Sequence, residues 1–322
     1  MLLHKVILYK RKVYILLITI YSMTKQSKDK ISCPKCNTER VKKRGFRRTA
    51  NRKKIQRYEC KDCKHAFVQD HGFFKMKNHE NKITACLDMY YSGMSLRKIQ
   101  SHLQMFAPHN CHYSTIYRWL VKYATMISGL TDNIKTDGGQ ELMSDEMEYK
   151  RLGNINWFVD VLDTKTRFIV ASDFMKSRTI DNLTKVLKQG KQNTGDRIKI
   201  VTTDCLAGYD KVLHKSFGLQ SPHQATSRAK SKIIHNKVKA DERGFNYKIE
   251  RLHGTIRERT KVMRGFHGSL YSAKMIMKGM EIYYNYVRKH QGIDNKTPQQ
   301  EAIPFLDLGV NKWLNLIKLS KI

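Results

Sequence analysis

Between residues 83 and 127 the apolar positions recur at helical spacing in three short runs. Ile83, Leu87 and Tyr90/Tyr91 make the first, which Ser92-Gly93 ends. Leu96, Ile99 and Leu103 make the second, with Ser95 as its cap. The third buries Ile116, Leu120, Tyr123 and Ile127 behind a cap at Ser114, and leaves Thr115, Tyr117, Arg118 and Lys122 facing out. Three short helices in this order describe a helix-turn-helix over 78–128, whose last helix enters a DNA major groove; pattern alone also fits a small helical bundle. Residues 129–140 carry no apolar period and several turn formers, so they read as a linker.

After residue 140 the period changes. NINWFVDVLDTKTRFIVASDF holds two strands joined by a polar turn at Asp163. TIDNLTKVLKQG is an amphipathic helix, and RIKIVTTDC is a short buried strand ending in an acid. YKIERLHGTIRERTKVM is a helix with Ile249, Leu252 and Ile256 on one face and Glu250, Gly254, Arg257 and Lys261 on the next. Alternating strands and helices over residues 141–305 predict an α/β domain, followed by a tail over 306–322.

Charge adds a partner to this picture. Lys and Arg number 61 against 28 Asp and Glu, a net charge of +33. Solubility alone asks for only about 2–8 net charges on a small domain, so an excess of this size points to a polyanion, and first to nucleic acid. The stretch from 22 to 80 holds 18 of the basic residues and only 6 acidic ones. A hydrophobic fraction of 40% excludes a generally disordered chain. Near the start, the apolar run Val13–Tyr21 is too short to span a bilayer, and no small-residue cleavage site follows it. Residues 1–30 therefore read as an N-terminal extension, with those before Met23 upstream of a working start there, and the protein as soluble, intracellular (cytoplasmic or nucleoid-associated) and without a membrane partner.

Four of the seven cysteines form two pairs, Cys33-Pro-Lys-Cys36 and Cys60-Lys-Asp-Cys63. Each two-residue gap lets one tight turn aim two sulfurs at one ion, so the pairs predict a tetrahedral structural Zn²⁺ site and a zinc ribbon over 31–70. Arg44-Gly45-Phe46 and Ile55–Tyr58 read as its hairpin strands. Four thiolates leave no open position, so this zinc is not catalytic. Cys86, Cys111 and Cys205 stand alone and read as packed thiols, and His109-Asn-Cys111-His112 as a loop before a helix.

Acidic residues suggest the chemistry. Asp204 ends a strand, the usual site position in such sheets, and Glu250 lies among cations on a helix. A two-metal site, with ions about 3.5–4 Å apart, needs a third acid. In QELMSDEMEYK, read as a strand, Asp145 shares the apolar side with Met143, Met147 and Tyr149, while Glu146 and Glu148 face solvent; Asp160 and Asp163 compete with Asp145 for the role.

The order of CPKC and RYECKDC, GMSLRKIQ before STIYRWLVKY, SDEMEYK before WFVDVLDTKTRFIVA, IVTTDCLAGY, YKIERLHGTIRERTKVMRGF and NYVRKHQGIDNKTP resembles that of insertion-sequence transposases of the DDE type. The resemblance covers about residues 31–305. It implies a retroviral-integrase-like, RNase H-like mixed sheet with flanking helices, preceded by the zinc ribbon and the helix-turn-helix. It places the catalytic acids on Asp145, Asp204 and Glu250, as ligands for two Mg²⁺ (or Mn²⁺) ions, and demotes Asp163 to a structural turn. The function it implies is cleavage and strand transfer at the terminal inverted repeats of double-stranded DNA, by a homo-oligomer that holds two ends together. The chain departs from the commonest pattern in the 46 positions from Asp204 to Glu250, which the basic loop ATSRAKSKIIHNKVKADERG fills. Arg118, Lys122, Arg251, Arg257 and Lys261 are the expected DNA contacts, with Arg259 and Arg264 beside them. His253 reads as packing or a phosphate contact, Asn285 and His290 as structural support, and the Tyr283–Tyr286 run as core. Two rival readings stay open: a non-catalytic DNA-binding regulator, and an RNase H-like nuclease without strand transfer.

Overall fold

The computed structural model describes residues 31–49, 53–106, 111–218, 233–238, 247–263 and 265–321. The expectations for residues 1–30, Met23, His109 and Arg264, and for most of the basic loop before Glu250, fall outside the described residues. Among the described residues no helix is long and apolar enough to cross a membrane. They form two compact units: those up to Lys82 together with those from Pro304 on, and Ile83–Ile303.

The first unit contains a three-stranded antiparallel sheet of β1 (Val41–Thr49), β2 (Lys53–Cys60) and β3 (Ala66–Phe67). Its strands are those expected from the sequence, with a register shift between Lys43 and Phe46 where Gly45 takes φ +67°. Nearly all of β1 is exposed, as its run of Lys and Arg dictates. Lys42 and Arg44 both pair with Glu59 across the hairpin, at 3.0 and 2.9 Å.

The second unit opens within α1 (Glu80–Tyr91) and continues with α2 (Leu96–Phe106) and α3 (Tyr113–Thr131). Gly93, at φ +109°, ends the first helix as its sequence predicts, and Ser95 caps the second through Lys98 N. The third helix departs from expectation at both ends. Its cap is His112, whose ring nitrogen accepts Ser114 N, rather than Ser114 itself. It also continues through Thr131, so residues 129–131 are helical, and those that follow are tied down rather than free. Thr136 N donates to Asn193 O, Gly139 N donates to Asp163 Oδ2, and Arg197 Nε donates to Gly139 O. No apolar period marks this stretch because backbone and side-chain hydrogen bonds, not burial of apolar groups, fix it.

The sheet of this unit runs β6-β5-β4-β7-β8, from β4 (Glu141–Arg151), β5 (Asn154–Asp163), β6 (Ile169–Met175), β7 (Ile200–Asp204) and β8 (Ile234–Val238). β5 is antiparallel to both of its neighbours, and β4, β7 and β8 are mutually parallel. In chain order this is 3-2-1-4-5 with the second strand reversed, the RNase H-like mixed sheet. β8 was hidden inside the predicted basic loop. Ile233 and Val238 are buried there, but His, Asn and Lys between them interrupt any strand-like alternation.

Strand alternation assigns the helices to the faces. α4 (Ile180–Thr194), α5 (Tyr209–Phe217), α6 (Tyr247–Thr260) and α7 (Leu270–Ile282) follow in order. Val161 of β5 meets α4 at Gly190, whereas the neighbouring Asp160 points the other way and meets His253 of α6. The two helices therefore cover opposite faces. α7 packs against α3 and β6. Within it the buried Lys278 ammonium pairs with Glu281 at 2.7 Å and with Asp132 at 3.0 Å. Asn285, fully buried just beyond α7, donates to Ile169 O and accepts from Ile169 N, clamping the start of β6 as structural support. Tyr284 and Tyr286 are buried, as expected for a core run.

Helix α7 passes α1 so closely that a methyl group at Gly279 would overlap the buried Tyr91 ring. Neither partner can move into solvent. Gly279→Ala is therefore expected to destabilise this unit by about 1–3 kcal/mol, the usual cost of overpacking, despite the better helix propensity of alanine. Urea titration checks it, and unchanged or raised stability would show that the two helices are free to separate.

Candidate active site and metal centres

Strand β4 carries the sequence that fills the candidate site. It pairs with β7 only from Glu141–Ile200 to Met143–Thr202. Beyond that the two parallel strands part, and Asp145 and Glu146 from the middle of β4 meet Asp204 from the end of β7. One carboxylate oxygen of each lies within 4.8 Å of the others. Asp145 accepts the backbone N–H of Glu146 at 2.7 Å, and Asp204 accepts that of Leu206 at 3.1 Å. Both aspartates are thus braced by their own backbone, Asp204 in the turn that ends β7.

Three acids this close act on one another. Burial, then the charges of Asp204 and Asp145, push the Glu146 carboxyl up to about 7. Burial raises Asp145 as well, against the pull of His253, with Asp160 and Asp204 adding to the rise. One Glu146 oxygen is buried with no hydrogen-bond partner. Hard oxygen donors, mutual repulsion and an orphaned oxygen are together what a divalent cation such as Mg²⁺ satisfies, so the residues fit a metal of that class.

Glu146 corrects the sequence reading, which set it facing solvent with Glu148. Glu148 is exposed, but Glu146 is half-buried and belongs to the acidic group. Alternation alone separates neighbours on a strand. Here the pairing of β4 with β7 stops at Met143, while its pairing with β5 continues to Arg151, so no parallel strand runs beside Asp145 and Glu146. Glu250 behaves otherwise. It is exposed on α6 and is not among the three clustered acids, and residues 239–246 before that helix lie outside those described.

A residue read as packing or a phosphate contact lies between two of the acids. His253, one turn after Glu250, is buried between two acids, with Nε2 3.0 Å from Asp160 Oδ2 and Nδ1 3.5 Å from Asp145 Oδ2. Burial lowers its pKa, but Asp160 and Asp145 outweigh burial and raise it. The signal lay in the register, since Asp145 sits directly opposite Asp160 and α6 covers that face. His253→Ala leaves the fully buried Asp160 without its partner, which typically costs about 3–5 kcal/mol. The expected result is a lower urea midpoint with loss of much of the unit's stability. A midpoint within error of wild type would mean that Asp160 finds another partner.

Asp163 is a structural turn, as expected. Its buried carboxylate accepts from Gly139 N, Lys165 N, Thr166 N and Thr166 Oγ1 and pairs with Arg197 at 3.3 Å. Arg118, Lys122, Arg251, Arg257 and Lys261 are all exposed. Cys86 and Cys111 are buried as packed thiols, but Cys205 is exposed because it follows β7 into the loop.

In the first unit the sulfurs of Cys33, Cys36, Cys60 and Cys63 converge within 4.8 Å of one another. Cys33–Cys63, Cys36–Cys60 and Cys36–Cys63 are each 3.5 Å apart. A disulfide would bring two of them to about 2.05 Å. A tetrahedron with Zn–S of about 2.3 Å has edges of roughly 3.8 Å, so the spacing fits a Cys₄ zinc. Lys35 N and Cys63 N also donate to the sulfurs of Cys33 and Cys60, the bonds by which a cysteine knuckle supports a thiolate.

Comparison with protein-family models and with curated proteins gives no match. Among solved structures, the HTLV-2 integrase catalytic core domain in complex with magnesium is 14% identical in its trimeric form, covering 51% of this chain and 95% of that one, with a TM-score of 0.36. The simian T-cell lymphotropic virus intasome in complex with PP2A regulatory subunit B56 gamma is 10% identical, covering 68% and 73%, with a TM-score of 0.36.

Proposed function

We propose that this protein is a DNA transposase that cuts the ends of its element and joins them to target DNA. The observation that carries this reading is the convergence of Asp145 and Asp204 where the central strands of an RNase H-like sheet part, in a chain of net charge +33. Asp145 and Asp204 would hold the metal, with Glu250 as the third acid. Bound there, two divalent ions would neutralise the leaving oxygen of a phosphodiester and activate the attacking one. The protein's own work is positional. His253 and the Glu146 N–H orient the Asp145 carboxylate from two sides. Glu250 stands one turn before His253 on α6, the helix whose His253 meets Asp145, and this supports its assignment as the third acid.

The exposed Arg118, Lys122, Arg251, Arg257 and Lys261 support contact with double-stranded DNA, through phosphates and their released counterions. Holding two ends at once implies a homo-oligomer on DNA. The ribbon and the three helices α1–α3 would recognise the terminal inverted repeats.

The test is strand transfer in vitro, with labelled ends from the flanking DNA and Mg²⁺ or Mn²⁺. Joined products from wild type, and none from Asp204→Ala or Glu250→Gln, are expected; Glu146→Gln should keep part of the activity. Cleavage without joining would replace the transposase with a nuclease, and salt-sensitive binding without cleavage would leave a DNA-binding regulator.

A further inference from the structure

A cavity of about 420 Å³ opens between α6, the β5–β6 turn and the chain from Tyr284 to Asn295. Arg167, Lys248, Arg251, Arg288 and Lys289 line it, and no carboxylate does. Among the described residues none of the five is in an ion pair. They come from three segments that lie far apart in sequence, so no local run of basic residues accounts for their meeting.

One of the cations is held in place. Arg288 donates to Nδ1 of His290 at 2.9 Å, and the other ring nitrogen of His290 lies 3.2 Å from Tyr284 O. That pair of bonds requires the neutral ring, with Nδ1 accepting and Nε2 donating. Burial, then the Arg288 charge, pushes the His290 pKa down to about 4 and keeps it neutral. The guanidinium is thereby fixed at the cavity by a partner that does not cancel its charge.

The volume lies in the range of small-ligand sites, about 300–1,000 Å³, but such sites are mostly apolar and this one is cationic on several sides. A phosphodiester inside a duplex offers two free oxygens from a convex ridge. A terminal phosphate carries about −1.5 to −2 charges and three acceptor oxygens, and can enter a concave site. We propose that this cavity holds the terminal phosphate of a DNA strand, next to the helix that carries Glu250. The proposal rests on the DNA reading above and adds a site for the strand end.

The experiment is fluorescence anisotropy in EDTA, with otherwise identical labelled duplexes ending in a 5′-phosphate or a 5′-hydroxyl. Wild type should prefer the phosphorylated end by about tenfold, the worth of one charge-assisted hydrogen-bond set. Arg167→Gln/Arg288→Gln and, separately, Lys248→Gln/Lys289→Gln should lose the preference while binding the hydroxyl end nearly as wild type does. Lys188→Gln, on the exposed side of α4, should retain it. Millimolar inorganic phosphate should erase the preference in wild type. Equal affinity of wild type for the two ends overturns this inference and leaves DNA binding standing; no binding of either duplex overturns both. A preference that survives in both double variants places the terminal phosphate elsewhere and also overturns it.

Discussion

Asp204→Asn is expected to reduce strand cutting by at least about 10³-fold, some 4 kcal/mol of transition-state stabilisation, and at the same time to raise the melting temperature of the metal-free protein. The two effects have one origin. Glu146 and Asp145 are both pushed up in pKa, first by burial and then in part by the charge on Asp204. An amide at 204 removes that repulsion and keeps the oxygen that accepts Leu206 N, so the turn after β7 survives. Each 1 kcal/mol of repulsion relieved converts to roughly 2–4 °C for a unit of this size. Gel assays of labelled ends give the first effect, and thermal melts in EDTA the second. Lower stability of the amide variant in EDTA would sink the account, because it would mean that Asp204 is held by partners rather than opposed by neighbours.

That opposition explains why the site was only half legible in the sequence. The strand ending at Asp204 and the helix around Glu250 follow from apolar spacing, and so does the placing of Asp145 on the apolar side of β4. These depend on local periods of 2 and 3.6 residues, which a single chain displays. Glu146 depends instead on where β4 stops pairing with β7, and His253 on which strand lies opposite Asp145. Both are long-range facts that no local window contains. β8 escaped for a related reason. It is a five-residue edge strand whose parallel partner β7 is some thirty residues earlier, and its alternation is interrupted by polar residues. The stretch 132–140 shows no period in the sequence because its anchors, Asp163, Asn193 and Arg197, are polar and distant in sequence.

The ribbon was legible for the opposite reason, because its stability is written in four residues. Phe46 at the hairpin is 62% exposed and Ile55, Tyr58 and Phe67 are only half-buried, whereas Cys33 and Cys60 are fully buried. A hairpin of exposed Lys and Arg with so little apolar burial does not hold itself together in water. The tetrahedral sulfur cluster is what remains to hold it, and structural zinc supplies about 10–16 kcal/mol in small finger peptides near neutral pH. Stripping the metal with a strong chelator, or replacing Cys33 with Ser, is therefore expected to remove amide-exchange protection throughout β1 and β2. Protection of β4, β5 and β7 should persist, because their buried Leu142, Val159, Leu162 and Val201 form a core that contains no metal ligand. Native mass spectrometry should show one zinc per chain before the treatment and none after it. If β1 and β2 stay protected once the zinc is gone, the thiols would be packing groups and the ribbon would owe its fold to something other than metal.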